Sequence, residues 1–300
     1  MNDPVPARGL PPWIQPDMQR RIAWRDGDIV IAVPPKSGTT WTMNIVHQLL
    51  SGGDPDFVDI YGVVPWIEFV THPGMAVEAL LERLERMPKD RRRAFKSHSL
   101  PTLFAAASGT NVRYLVVMRN PEEALVSMKP FIEQHSDEWI ALWGMPRAAI
   151  THADFSSFYR EAVAPRGMDG ALFEFLRDWW PLRERPDVLL LHYRDMTRDH
   201  ERAVHRIADF LGIRPEAGRW AAILEYTSFA WMKRHGTKFD ALTTAPIPPL
   251  KPGAMVRRGS TGAAREDGMT DEIAAEVRAL GREICPDEQA LHWFYEGGWL

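Results

Sequence analysis

One cysteine in 300 residues, Cys285, leaves no partner for an intramolecular disulfide and too little sulfur for a cysteine-rich zinc site. Long apolar runs are missing as well. None reaches the ~18 uninterrupted apolar residues of a membrane-spanning helix, and residues 1–25 carry Asp3, Arg8, Asp17, Arg20 and Arg21 in place of the apolar core of a secretion signal. Nor is there an excess of one charge: 36 basic residues face 40 acidic ones, for a formal net charge of -4. That balance gives no electrostatic reason to expect nucleic acid or an anionic membrane surface as partner. Together the absences describe a reduced, cytoplasmic protein whose expected ligand is a small molecule. Lysine is scarce too, with 7 against 29 arginines. The bias fits a GC-rich bacterial genome and makes the position of each lysine informative.

What is present reads as strands alternating with helices. "DIVIAV" (28–33) is a β-branched run ended by Pro34 and Pro35, and Trp41, Ile45, Val46, Leu49 and Leu50 then recur at helical spacing until Gly52 and Gly53. "RRAFKSH" (92–98), "VRYLVVM" (112–118) and "DVLLLHY" (187–193) read as further strands. After the third strand Asn120 suits a helix N-cap, Pro121 the first helical position, and Glu122 and Glu123 the first turn. Residues 199–211 form an amphipathic helix stopped by Gly212. The alternation predicts an α/β fold, a central parallel sheet with helices on both faces, in one domain spanning 1–300. Residues 1–25 read as an N-terminal extension. Residues 237–262 lack any period, as expected of a mobile binding loop or lid.

The stretch "VPPKSGTTWT" (33–42) sits where such a sheet binds anions, between a strand's carboxyl end and a helix start. Gly38 permits close backbone approach to a phosphate, and Ser37, Thr39 and Thr40 offer hydroxyl donors. A Walker A loop places its lysine after the last glycine; here Lys36 precedes Gly38. The strand "YLVVM" ends in Arg119, not in the acidic residue that helps hold magnesium in nucleoside triphosphatases. Arginine there offers a fork for a second phosphate and repels a cation, although a structural ion pair would explain it equally well. Ser127, two helical turns beyond Asn120, can share that anion. Lys96 and His98, at i and i+2 of an extended strand, leave on one face. A neutral imidazole can take a proton from a hydroxyl, and an ammonium beside it can neutralise charge on a transferred group. His200 and His205 show no metal-ligand spacing and read as a solvated helix face.

These residues resemble the cytosolic sulfotransferases. "PPKSGTTW" is similar to that family's 5′-phosphosulfate loop, "RNPEEALVS" to its 3′-phosphate motif, and "FKSHSLP" to its Lys-x-His-Leu-Pro strand, with one extra residue before Pro101. "YRDM", "TSFAWMK" and "RRGSTG" follow in the family's order, so the resemblance covers roughly residues 28–262. It implies the sulfotransferase fold and 3′-phosphoadenosine 5′-phosphosulfate (PAPS) as co-substrate, with no metal. Lys36 would then reach the bridging oxygen of the leaving group, and Ser37, Gly38, Thr39 and Thr40 would wrap the 5′-phosphate. Trp41 would stack on adenine, with Tyr193, Thr227 and Phe229 around it. Arg119, Ser127, Arg257, Arg258 and Gly259 would bind the 3′-phosphate, His98 would be the base, and Lys96 would steady the transferring group.

Two departures stand out. The family continues Gly-Asp-Trp-Lys after this motif, where the chain has Gly262, Ala263, Ala264 and Arg265. Its Lys-Thr-Val-Glu dimer segment has no counterpart here, so oligomeric state is left open. Trp66, Trp139 and Trp143 suit an apolar or aromatic acceptor, or a core; Glu68, His72, His135 and Asp137 are candidates to orient a polar one. Two rival readings are a metal-dependent small-molecule kinase and a catalytically silent module that binds a 3′-phosphonucleotide.

Overall fold

The computed structural model describes residues 11–259 and 261–300. Residues 1–10 of the expected N-terminal extension, and Ser260 of the "RRGSTG" motif, lie outside them. Each of the four strand-like runs forms a strand: β1 (Ile29–Ala32), β2 (Ala94–Ser97), β3 (Arg113–Met118) and β4 (Val188–His192). They make one parallel sheet in the order β2-β1-β3-β4, with Ile31 opposite Lys96 on one side and Leu115 on the other.

The sheet is covered on both faces because its strands alternate their apolar side chains between two cores. Ile29, Ile31, Leu115 and Val117 pack with Met43, Val46 and Leu49 of the Thr39–Ser51 helix and with Val204 and Ile207 of the His200–Leu211 helix. Val30, Ala32, Val116 and Met118 pack against the Pro121–Glu133 and Met168–Trp179 helices. Asn120 caps the former as expected, its side chain accepting from the N–H groups of Glu122 and Glu123.

From β1 the chain crosses to β2 on one side, then to β3 on the other. The carboxyl end of β1 is therefore a topological switch point, where parallel sheets open a crevice. Three irregular segments wall it. The first follows the sheet edge: Ile67 N–H donates to Lys96 O at 3.1 Å, and Lys96 N–H to Pro65 O at 2.9 Å. The second comes from the N-terminal side, where Gln15 N–H donates to Glu68 O at 2.8 Å and Val70 N–H to Trp13 O at 2.9 Å. This part of the expected extension is thus sewn into the fold. The third is the aperiodic stretch 237–259. Apart from a 3-10 turn at Gly236–Phe239 it lacks regular structure, yet it is tied down by Lys251 N–H to Gln134 O (2.9 Å), Gly253 N–H to Asp240 Oδ2 (2.8 Å) and Lys233 Nζ to Val256 O (2.6 Å).

Candidate active site

Pro34 and Pro35 carry the chain out of β1, and Lys36 then turns it through a left-handed conformation, φ 64°, followed by Gly38 at φ 95°. A lysine in that region is held against its preference, as happens where a loop is shaped for a ligand. Gly38 is the N-cap of the Thr39–Ser51 helix and offers it no side-chain cap, so the helix's first N–H groups face the crevice as anion donors. A side chain at Gly38 would also meet Tyr193, with Cβ 2.6 Å from Cδ2. The loop is thus closed on one side by the tyrosine ring. Ser37 Oγ is buried with no hydrogen-bond partner among the described residues, the orphan donor that a phosphate oxygen would satisfy.

One end of the crevice is aromatic and then cationic. Trp41 donates its indole N–H to Thr227 O at 2.8 Å and meets Tyr193 edge-on at 5.8 Å. Thr227 itself is fully buried, its hydroxyl donating to Ile223 O and paired with His200 Nε2 at 2.9 Å. It therefore acts on the cavity by holding Trp41, and His200 belongs to this scaffold. Phe229 is 41% exposed and lies over Gly259, where a Cβ would sit 2.4 Å from the ring; Gly259 also has φ 67°. Arg119 makes the ion pair its sequence position allowed and also lines the cavity. Its Nε pairs with Glu123 Oε2 at 3.0 Å, its Nη1 donates to Lys36 O at 3.3 Å, and it faces the cavity beside Ser127. Arg257 and Arg258 arrive from the far end of the aperiodic segment, and both pair with Asp267.

At the other end lie the two lysines and the histidine. Lys36 Nζ sits 4.0 Å above the Phe131 ring and Lys96 Nζ 3.4 Å above that of Trp66. Burial pushes both ammonium groups down to about 7, helped for Lys36 by Arg119 and Arg257 and for Lys96 by Lys36, with Glu68 opposing. His98 lies one residue past the end of β2, and its Nδ1 is bonded to the carbonyl of Val33. Because a carbonyl only accepts, Nδ1 carries the proton and Nε2 keeps its lone pair. Burial, with Lys96 and Lys36 adding to it, lowers the imidazole to about 3, so it is neutral at physiological pH.

All three groups line one cavity of about 1020 Å³ that runs from Arg258 past the phosphate loop to Trp13. Its distal end is apolar and aromatic. Trp13, invisible in a proline-rich stretch without periodicity, packs on His135 (5.5 Å) and Trp139 (6.0 Å), and Phe69 and Phe131 join them. Glu68 reaches the same wall. Its Oε1 accepts from Ser97, Ser99 and Gln19, and burial raises its pKa. Of the other polar candidates, His135 lines the cavity, whereas His72 bonds to Thr71 and Asp137 pairs with Arg147 at the surface. Among the described residues no cluster of His, Cys, Asp or Glu is arranged to hold a metal ion, and no helix is long and apolar enough to cross a membrane.

Two ammonium groups titrating near neutrality make anion binding pH-dependent. A bound phosphate favours their charged forms, so their folded-state values rise on binding and protons are taken up. Affinity for 3′-phosphoadenosine 5′-phosphate (PAP) should be full below pH ~7 and fall by roughly tenfold per lysine per pH unit above it, until the bound-state values are reached. Calorimetry in buffers of different ionisation heat, at pH 8, would register the uptake; an affinity flat from pH 6 to 9 would contradict it.

Residues 26–287 match the sulfotransferase domain family. Among curated proteins the chain is similar to rat sulfotransferase 2A6, with 27% identity across 86% of this chain and 85% of that protein. It is 30% identical to rat sulfotransferase 2A2 across 86% and 84% respectively. In fold it is similar to mouse sulfotransferase SULT7A1, solved with PAP, at a TM-score of 0.69 and 20% identity over 93% of this chain and 90% of that one. A retinol dehydratase solved with androsterone and PAP gives 0.59 at 21% identity, over 89% and 83%. With the family match covering nearly the whole sheet and cavity, the chain belongs to the sulfotransferase family, enzymes that use PAPS.

Proposed function

We propose that the chain transfers a sulfuryl group from PAPS to a hydroxyl of a small apolar or aromatic acceptor, in line and without a metal, with His98 as general base. The observation that carries this reading is the locked tautomer of His98. His98 lines a cavity shared with Lys36 and Lys96, and with its Nδ1 proton committed to Val33 it keeps the Nε2 lone pair free to accept a proton.

The residues fit the nucleotide in order along the cavity. The Lys36–Thr40 loop and the orphan Ser37 hydroxyl would hold the 5′-phosphate, Trp41, Tyr193 and Phe229 the adenine, with Thr227 behind Trp41. Arg119, Ser127, Arg257, Arg258 and the backbone of Gly259 would hold the 3′-phosphate. The bound donor supplies the sulfuryl group and leaves as PAP. His98 Nε2 takes the acceptor's proton as its oxygen bonds to sulfur. Lys36 neutralises charge on the oxygen that departs with the 5′-phosphate, and Lys96 balances the charge spread over the transferring group.

The electrostatics make these roles interdependent. Burial makes His98 a weak base, and Lys96 and Lys36 add to the effect; an anion that satisfies both lysines offsets their share and raises the ring's proton affinity. A negatively charged donor in place thus strengthens the base. A hydroxyl acceptor fits better than an aliphatic amine, which would enter protonated beside these cations.

Incubating the protein with 35S-labelled PAPS and a panel of phenols, sterols and primary alcohols, with and without EDTA, tests the reading. Label should move to at least one acceptor class equally in both. Phosphorylation from Mg-ATP in place of sulfation would establish the kinase reading, and tight PAP binding without turnover on any acceptor would establish the silent module.

A further inference from the structure

We infer that Asp267 is a built-in competitor for the nucleotide's 3′-phosphate, a carboxylate that spans Arg257 and Arg258 and sets how readily spent nucleotide leaves. The inference rests on the proposed reading of that end of the cavity.

Asp267 Oδ2 lies 3.3 Å from Arg257 Nη2, and Oδ1 lies 2.5 Å from Arg258 Nη1. The acid is the fixed partner. Its side chain is 16% exposed, against 31% for Arg257 and 53% for Arg258. Three consecutive main-chain bonds close its turn: Asp267 N–H to Ala263 O at 2.9 Å, Gly268 N–H to Arg265 O at 3.1 Å, and Met269 N–H to Ala264 O at 3.0 Å. Gly268, at φ 103°, lies so close to Phe155 that a Cβ would come within 2.9 Å of it. The turn is packed against Phe155 of the core. Asp267 itself lines the cavity.

An anion that engages both arginines therefore arrives beside a carboxylate that is the most buried of the three groups. A phosphate dianion outcompetes one carboxylate for the two guanidinium forks, yet the repulsion persists in the complex. Pre-ordering the arginines works in the opposite direction, but part-exposed ion pairs gain little from such order. Repulsion is the larger effect, so the acid loosens the grip on the 3′-phosphate alone and leaves the 5′-phosphate loop untouched. Since the phosphate that makes the nucleotide bind also holds the product, a loosened grip speeds release.

Calorimetric titration of wild type, Asp267→Asn and Asp267→Glu with PAP and with adenosine 5′-phosphate, which lacks the 3′ group, tests this. Removing one like charge should tighten PAP binding by roughly tenfold in Asp267→Asn, with Asp267→Glu near wild type and adenosine 5′-phosphate shifted less than twofold in either. Stopped-flow displacement should show the gain as slower PAP dissociation. Asp267→Ser replaces the amide variant if that one does not fold. Unchanged or weaker PAP binding in the neutral variants, or an equal shift for both nucleotides, overturns the inference. If wild type itself does not prefer PAP over adenosine 5′-phosphate, the 3′-phosphate assignment has failed instead.

Discussion

His98→Asn should lower the single-turnover rate of sulfuryl transfer by about 10³-fold, within the range that a positioned general base contributes, and leave PAP affinity within threefold of wild type. Asparagine is chosen because its amide can still donate to the Val33 carbonyl that now holds Nδ1, so the loop geometry is disturbed less than by alanine. Single-turnover measurement matters because slow product release would hide a loss in the chemical step. The variant should also lose the part of the pH–rate profile that reports deprotonation of the base in the ternary complex. A variant that keeps the wild-type rate with normal nucleotide binding would remove His98 from the mechanism.

Lys36→Met should cost about 10²–10³-fold in the same rate, the usual worth of one preorganised charge at a developing oxyanion, and should weaken PAP as well. Methionine preserves an apolar stem against Phe131 while deleting the ammonium above that ring. Lys36→Arg should not restore the rate. A planar fork delivers its charge over two nitrogens and needs more width than a loop closed by Tyr193 against Gly38 allows. The double variant Lys36→Met, His98→Asn should lose less than the product of the single effects, because the two groups act on one transition state. A rate within threefold of wild type for Lys36→Met would show that the leaving oxygen is stabilised elsewhere. The proton uptake on PAP binding should also shrink in this variant, because one of the two lysines titrating near neutrality is gone.

Much of the site could be read in advance because it lies in contiguous stretches at the carboxyl ends of strands. The loop after β1 carries its lysine, glycine and hydroxyls within five residues, and Arg119 follows β3 directly. Local order alone tells what such segments can bind. Trp13 could not be found this way. It comes from an irregular segment, and only the pairing of Val70 N–H with Trp13 O brings it to Trp139. Glu68 was one of four polar candidates with nothing to select it from a solvated surface until the fold buried it and set Ser97, Ser99 and Gln19 around one oxygen. Thr227 shows the reverse case. Its position in the motif pointed to the nucleotide, while the fold turns its hydroxyl to Ile223 and uses its carbonyl to hold Trp41.

The parallel α/β architecture and the resemblance to sulfotransferases were legible from the residues alone. Short continuous apolar runs alternating with helical ones admit few other packings, and a lysine-led loop at a strand's carboxyl end is a local object. Folding was needed to show which nitrogen of His98 keeps its lone pair, that burial lowers both lysines, and that Asp267 pairs with the two arginines. Those properties depend on burial and on charges brought together from distant parts of the chain, and no local pattern encodes either.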